Sequence, residues 1–186
     1  MKYSKLLRLW HWLNFLAIFG LLGTFFLRKT FLSWRSNSEL IVQKLAEVNI
    51  EVTAEVAKAL AKAIRAPMWE WHIIFGYLLV FSLIFRIYIF FKEGVSYKDT
   101  TSIHKIGVTL LYTVFYLLIV FMSISGLVLT FGADVGVGKE LLGSIKDNHE
   151  SIAWFFVFFV PLHIGGVVVA DMTNEKNLIS KMVSGK

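Results

Sequence analysis

Five histidines stand in this chain, His11, His72, His104, His149 and His163, with no cysteine anywhere. His149 and His163 bracket the stretch H-E-S-I-A-W-F-F-V-F-F-V-P-L-H, which is too apolar for an ordinary soluble helix. Imidazole in such a setting can relay a proton, bond a neighbouring helix, or give a ring lone pair to a metal. The lack of cysteine excludes disulfides, iron–sulfur clusters, thiolate zinc sites and the C-x-x-C-H attachment of c-type haem. Redox chemistry must therefore use a group that histidine alone can hold. No Asp or Glu lies in the interior of an apolar run to complete the shell of a bare metal ion.

The elements that position these histidines follow from composition. Of 186 residues, 56% are hydrophobic and 17% are charged, against about 25% charged in a typical soluble domain. The apolar residues form four blocks, roughly 6–27, 69–91, 106–131 and 152–170, the last with a polar lead-in that starts the span near 148. Each matches the roughly 20 residues that cross a bilayer, and in lipid each must be a helix to satisfy its backbone. The expected fold is an all-α integral membrane protein: a single domain over 1–186, built as an antiparallel bundle of four transmembrane helices. The opening M-K-Y-S-K-L-L-R has the charge of a signal peptide. No A-x-A site follows, and Leu27, Arg28 and Lys29 close the run, so a retained helix is predicted.

Between the first two spans, an extramembrane insert at about 33–66 carries Ile41, Leu45, Val48, Val52, Val56, Leu60 and Ile64 at steps of three or four. That spacing predicts an amphipathic helix, or a pair, lying in the membrane interface or docking a partner. Pro67 then marks the start of the second span. Cations in short loops favour both termini on the cytoplasmic side. The net charge of +6 does not point to nucleic acid, because the cations sit at membrane edges.

Fourteen residues make nearly four helical turns and a rise of roughly 21 Å, so His149 and His163 share one side of the fourth span at opposite depths. In the antiparallel arrangement His11 and His163 fall near the inner face, and His72 and His149 near the outer one. Two pairs at two depths predict two bis-histidine haems within the bundle. Gly76, one turn beyond His72, leaves room for a flat macrocycle. Arg86, fourteen residues after His72, and Arg8, three before His11, are candidates to meet haem propionates, since an intramembrane Arg needs a partner. Gly20, Gly23, Gly126, Gly165 and Gly166 also lie within spans, and Pro161 is expected to set the angle of His163. His104 has no pair and is read as interfacial or as part of a quinone pocket.

The sequence resembles the bacterial di-haem cytochrome b561 family, which is related to the cytochrome b subunit of nickel–iron hydrogenases. The resemblance rests on L-W-H-W at 9–12, W-H-I-I-F-G-Y at 71–77, S-G-L-V at 125–128 and the H-E…P-L-H stretch, covering all four spans. It implies that His11, His72, His149 and His163 ligate two haem b groups that exchange electrons with a membrane quinone. Relatives carry third-helix histidines about where Thr109 and Tyr112 stand here, and the compact members lack so long a first loop. The expected function is electron transfer between quinone and a redox partner, either a dehydrogenase or a cytochrome. Quinone could be lined by His104 and Lys105 inside, or by Trp69, Trp71 and Lys146 outside. Two alternatives stand beside it: a stand-alone superoxide:quinone oxidoreductase, and a haem-free structural or transport protein.

Overall fold

The computed structural model describes residues 3–94, 103–173 and 176–185. Among them the chain is all-helical, 85% helix with no strand. Its helices are α1 (Lys5–Lys29), α2 (Trp34–Ala46), α3 (Ala54–Glu93), α4 (Ile103–Phe131), α5 (Lys139–Thr173) and α6 (Leu178–Val183). Four of these, α1, α3, α4 and α5, are long and apolar enough to cross a membrane. Their outward faces are greasy: Phe19 and Phe158 are each 65% exposed, and Leu110 is 64% exposed. Such surface is untenable in water and ordinary against lipid.

Two boundaries differ from the sequence reading. The insert forms a pair of helices, and the second does not end at Pro67. It runs on from Ala54 into the span as one 40-residue helix with Pro67 inside it. The break between α2 and α3 comes earlier, where Asn49 takes a left-handed conformation (φ 60°) and the Ile50 N–H closes back on the Leu45 carbonyl at 2.9 Å. That is a Schellman-type stop, with Asn in the usual glycine position. Thr53 then starts α3 by accepting from the Val56 N–H at 3.3 Å. The helix that carries the fourth apolar block starts ahead of it, at Lys139, so only residues 132–138 remain as a loop.

The chain separates into two compact units. The first combines Met1–Leu16 with Tyr77–Lys186. Here the start of α1 runs antiparallel to the end of α3: Ser4 Oγ donates to Glu93 Oε2 at 2.8 Å, and Ser82 Oγ donates to Asn14 Oδ1 at 3.3 Å. Both Asn14 and Ser82 are buried, so the polar pair lies within the helix contact. α4 packs on α5 through an aromatic ladder in which Phe115 stacks on Phe159 at 4.4 Å and meets Phe156 edge-on at 5.8 Å. α6 is tied to the end of α5 by the Ile179 N–H, which donates to Asp171 Oδ1 at 3.0 Å.

The second unit is Ala17–Gly76. Here the second half of α1 runs against the first half of α3. A Cβ on Gly20 would lie 2.5 Å from ring atoms of Phe75, so glycine is what lets that ring rest on the α1 backbone. Ala57 and Ala61 are completely buried one turn apart on α3. Trp34, opening α2, lies beneath Lys58 at 5.1 Å and Lys62 at 5.9 Å, which ties α2 to that same helix.

Candidate functional site

In the first unit, α1 and α5 bring His11 and His163 together. Their ring centroids are 6.1 Å apart with planes inclined by 52°. His163 is flanked by Phe159, stacked at 5.7 Å, and by the Tyr112 phenol, 3.3 Å from its Nδ1. Pro161 lies inside α5 two residues before it and removes one backbone donor from that turn. Beside His11, Trp10 stacks on Tyr116 at 6.1 Å. The Arg86 guanidinium lies over both rings, 5.2 Å from Trp10 and 5.9 Å from Tyr116, and Nε donates to Tyr116 Oη at 3.3 Å. The half-buried Arg86 has no carboxylate partner among the described residues. Arg8 instead reaches the C-terminal turn, donating to the Val183 carbonyl at 3.4 Å.

His72 belongs to the second unit and His149 to the first, and each is held within its own unit by a buried hydroxyl. Thr24 Oγ1 is 2.7 Å from His72 Nδ1, and Ser125 Oγ is 2.7 Å from His149 Nδ1. Trp69 meets the His72 ring edge-on at 5.6 Å and carries Arg28 and Arg65 over its faces at 5.6 and 5.9 Å. Gly126 lies beside the His149 ring, whose Cε1 would be 3.6 Å from a Cβ placed there. At Gly76 a Cβ would meet nothing within 4 Å, so this part of α3 leaves open space next to His72.

No group of three or more His, Asp or Glu converges on a bare metal ion among the described residues. The site at His11 and His163 offers two imidazoles and apolar or aromatic walls. Imidazoles on opposite sides of one metal, each nitrogen at about 2 Å, have ring centroids about 6 Å apart, and His11 and His163 match that separation. These two imidazoles would hold a haem, which would supply one-electron chemistry there. Fold and site together define a multi-pass membrane protein with a pair of imidazoles set among aromatic walls.

The family model for prokaryotic cytochrome b561 matches residues 2–185, nearly the whole chain, and the chain belongs to that family. It is therefore a membrane b-type cytochrome of electron transfer, with haem b as its cofactor. No curated protein and no solved structure matches the chain.

The remaining residues singled out from sequence fall in different places. Gly165 and Gly166 are exposed and would meet nothing within 4 Å. Trp71 turns outward at 58% exposure, and Lys146 lies on the exposed surface of α5. The side chains of His104 and Lys105 lie outside the described residues. Sequence reasoning missed Thr24 and Tyr116, took Ser125 only as part of the S-G-L-V motif, and took Tyr112 only as a departure from the family. Buried hydroxyl residues within apolar runs, at the depth of a histidine, are the signal that could have found Thr24 and Ser125.

Proposed function

We propose that the protein is a di-haem cytochrome that passes electrons between a membrane quinone and a second redox partner. The carrying observation is the His11–His163 pair, whose 6.1 Å ring separation suits ligation of one haem. His72 and His149, set by register at the outer ends of their spans, are the proposed ligands of a second haem. A bound haem supplies the one-electron couple that no side chain here provides. The chain's part would be to hold that group through its imidazoles, keep water away with aromatic walls such as Phe159, and place Arg86 where a propionate would meet it. Burial of such a carboxylate without a cation is costly, and Arg86 is already held over the rings of Trp10 and Tyr116.

Mixing the purified protein in liposomes with a reduced quinone analogue, and following haem reduction by stopped-flow absorbance, tests the quinone half of this reading. Reduction of both haems at saturable rates is expected; haems that reduce with dithionite but not with quinol would contradict it.

A second reading has its own observation. Arg28 and Arg65 converge on Trp69 beside His72, a cationic arrangement suited to drawing an anion such as superoxide. In that case a steady superoxide flux should accelerate quinone reduction by the protein, and Arg65→Gln should slow it several-fold. An unaltered rate of quinone reduction on adding protein would remove this reading.

A further inference from the structure

Two buried hydroxyls repeat one arrangement at two histidines. Thr24 Oγ1 lies 2.8 Å from the Leu21 carbonyl and 3.2 Å from the Gly20 carbonyl, as well as 2.7 Å from His72 Nδ1. Ser125 Oγ lies 2.7 Å from the Phe121 carbonyl and 3.3 Å from the Met122 carbonyl, as well as 2.7 Å from His149 Nδ1. Each hydroxyl has a single proton. Were it turned toward Nδ1, two oxygens would face each other at 2.7–2.8 Å with no proton between them. The proton therefore goes to the helix carbonyl, and the hydroxyl oxygen accepts from Nδ1–H. The imidazole is left with its lone pair on Nε2.

We infer that Thr24 and Ser125 are positioning residues that fix the tautomer and ring orientation of His72 and His149, so that Nε2 is presented to iron and made a stronger donor. The inference rests on the reading of those two histidines as haem ligands. A ligating imidazole whose Nδ1–H is hydrogen-bonded gains basicity and favours the more highly charged ferric state. Among the described histidine side chains the arrangement is confined to these two. His163 meets a phenol at the longer distance of 3.3 Å, and the described contacts of His11 are ring contacts to Trp12 and His163. The haem held by His11 and His163 should thus be untouched by changes at Thr24 or Ser125.

The test is a redox titration of the purified, haem-loaded protein, following the visible bands of each haem. Thr24→Val keeps the shape and removes the acceptor, while Thr24→Ser keeps the hydroxyl; Ser125→Ala and Ser125→Thr do the same at the other histidine. Thr24→Cys and Ser125→Cys, close in size but much weaker acceptors, serve where the first variants do not fold. The expected result is full haem content with one couple moved upward. The shift should be roughly tenfold in the oxidised-to-reduced ratio at fixed potential, about 59 mV for one electron. The second couple should stay in place, and the hydroxyl-retaining variants should behave as wild type. Two haems with neither couple moved in any acceptor-removing variant overturns the assignment of Thr24 and Ser125 while leaving the ligands standing. A His72→Ala or His149→Ala protein that keeps both haems overturns the ligand reading, and this inference with it.

Discussion

At the scale of single residues, the function rests on imidazoles and the groups that touch them. His11 and His163 come from α1 and α5 and meet at 6.1 Å, so removing either ring should empty the same haem site. Haem content should fall by one per chain in His11→Ala and by the same one in the His11→Ala/His163→Ala double variant, measured by pyridine haemochrome. Arg86 makes a different prediction. A hydrogen bond to a charged group is worth about 1.5–3 kcal/mol, so Arg86→Gln should weaken retention of the inner haem by roughly 10- to 100-fold, seen as haem loss to an apo-acceptor protein. Normal retention would mean that Trp10 and Tyr116 hold Arg86 for structural reasons alone. The approach of His11 to His163 was legible in the sequence, because depth follows from counting along a helix. The contacts of Thr24 and Ser125 were not read, because a lone Ser or Thr in an apolar run has no periodicity and marks itself only by its depth. Only the neighbouring helix in space gives those hydroxyls a partner.

At the scale of elements, the four long helices were readable from apolar length alone, since lipid leaves a spanning segment no other backbone solution. Their ends were less readable. Pro67 looked like a start signal, yet α3 passes through it, accepting the loss of one backbone donor inside a helix. The even spacing of apolar residues from Ile41 to Ile64 likewise hid the stop at Asn49, because one amphipathic stripe can run across two helices. Gly20 gives the test at this scale. A methyl there would press into the Phe75 ring at 2.5 Å, and overpacking of this kind costs about 1–3 kcal/mol. Gly20→Ala should lower thermal stability in detergent, and Gly20→Ala combined with Phe75→Leu should recover part of the loss. An unchanged melting temperature for Gly20→Ala would contradict the close α1–α3 approach in that unit.

At the scale of the whole molecule the chain is a polytopic b-type cytochrome, and the proposal sets two haems at two depths. The fourteen-residue step from His149 to His163 carries that claim, because it lifts the two ligands of α5 roughly 21 Å apart. Orientation is open to a direct test, since the natural chain has no cysteine to interfere. With both termini cytoplasmic, Ser38→Cys on α2 should react with an impermeant maleimide added to intact cells, and Lys181→Cys on α6 should react only after lysis. The reverse pattern would place the insert inside. The most direct measurement of the central claim is haem per chain in the purified protein, from the reduced-minus-oxidised spectrum and the pyridine haemochrome. Two b-haems in the wild type, falling to one in His163→Ala and to one in His72→Ala, is the predicted result. A single haem in the wild type, or none in protein made with ample haem supply, would contradict it.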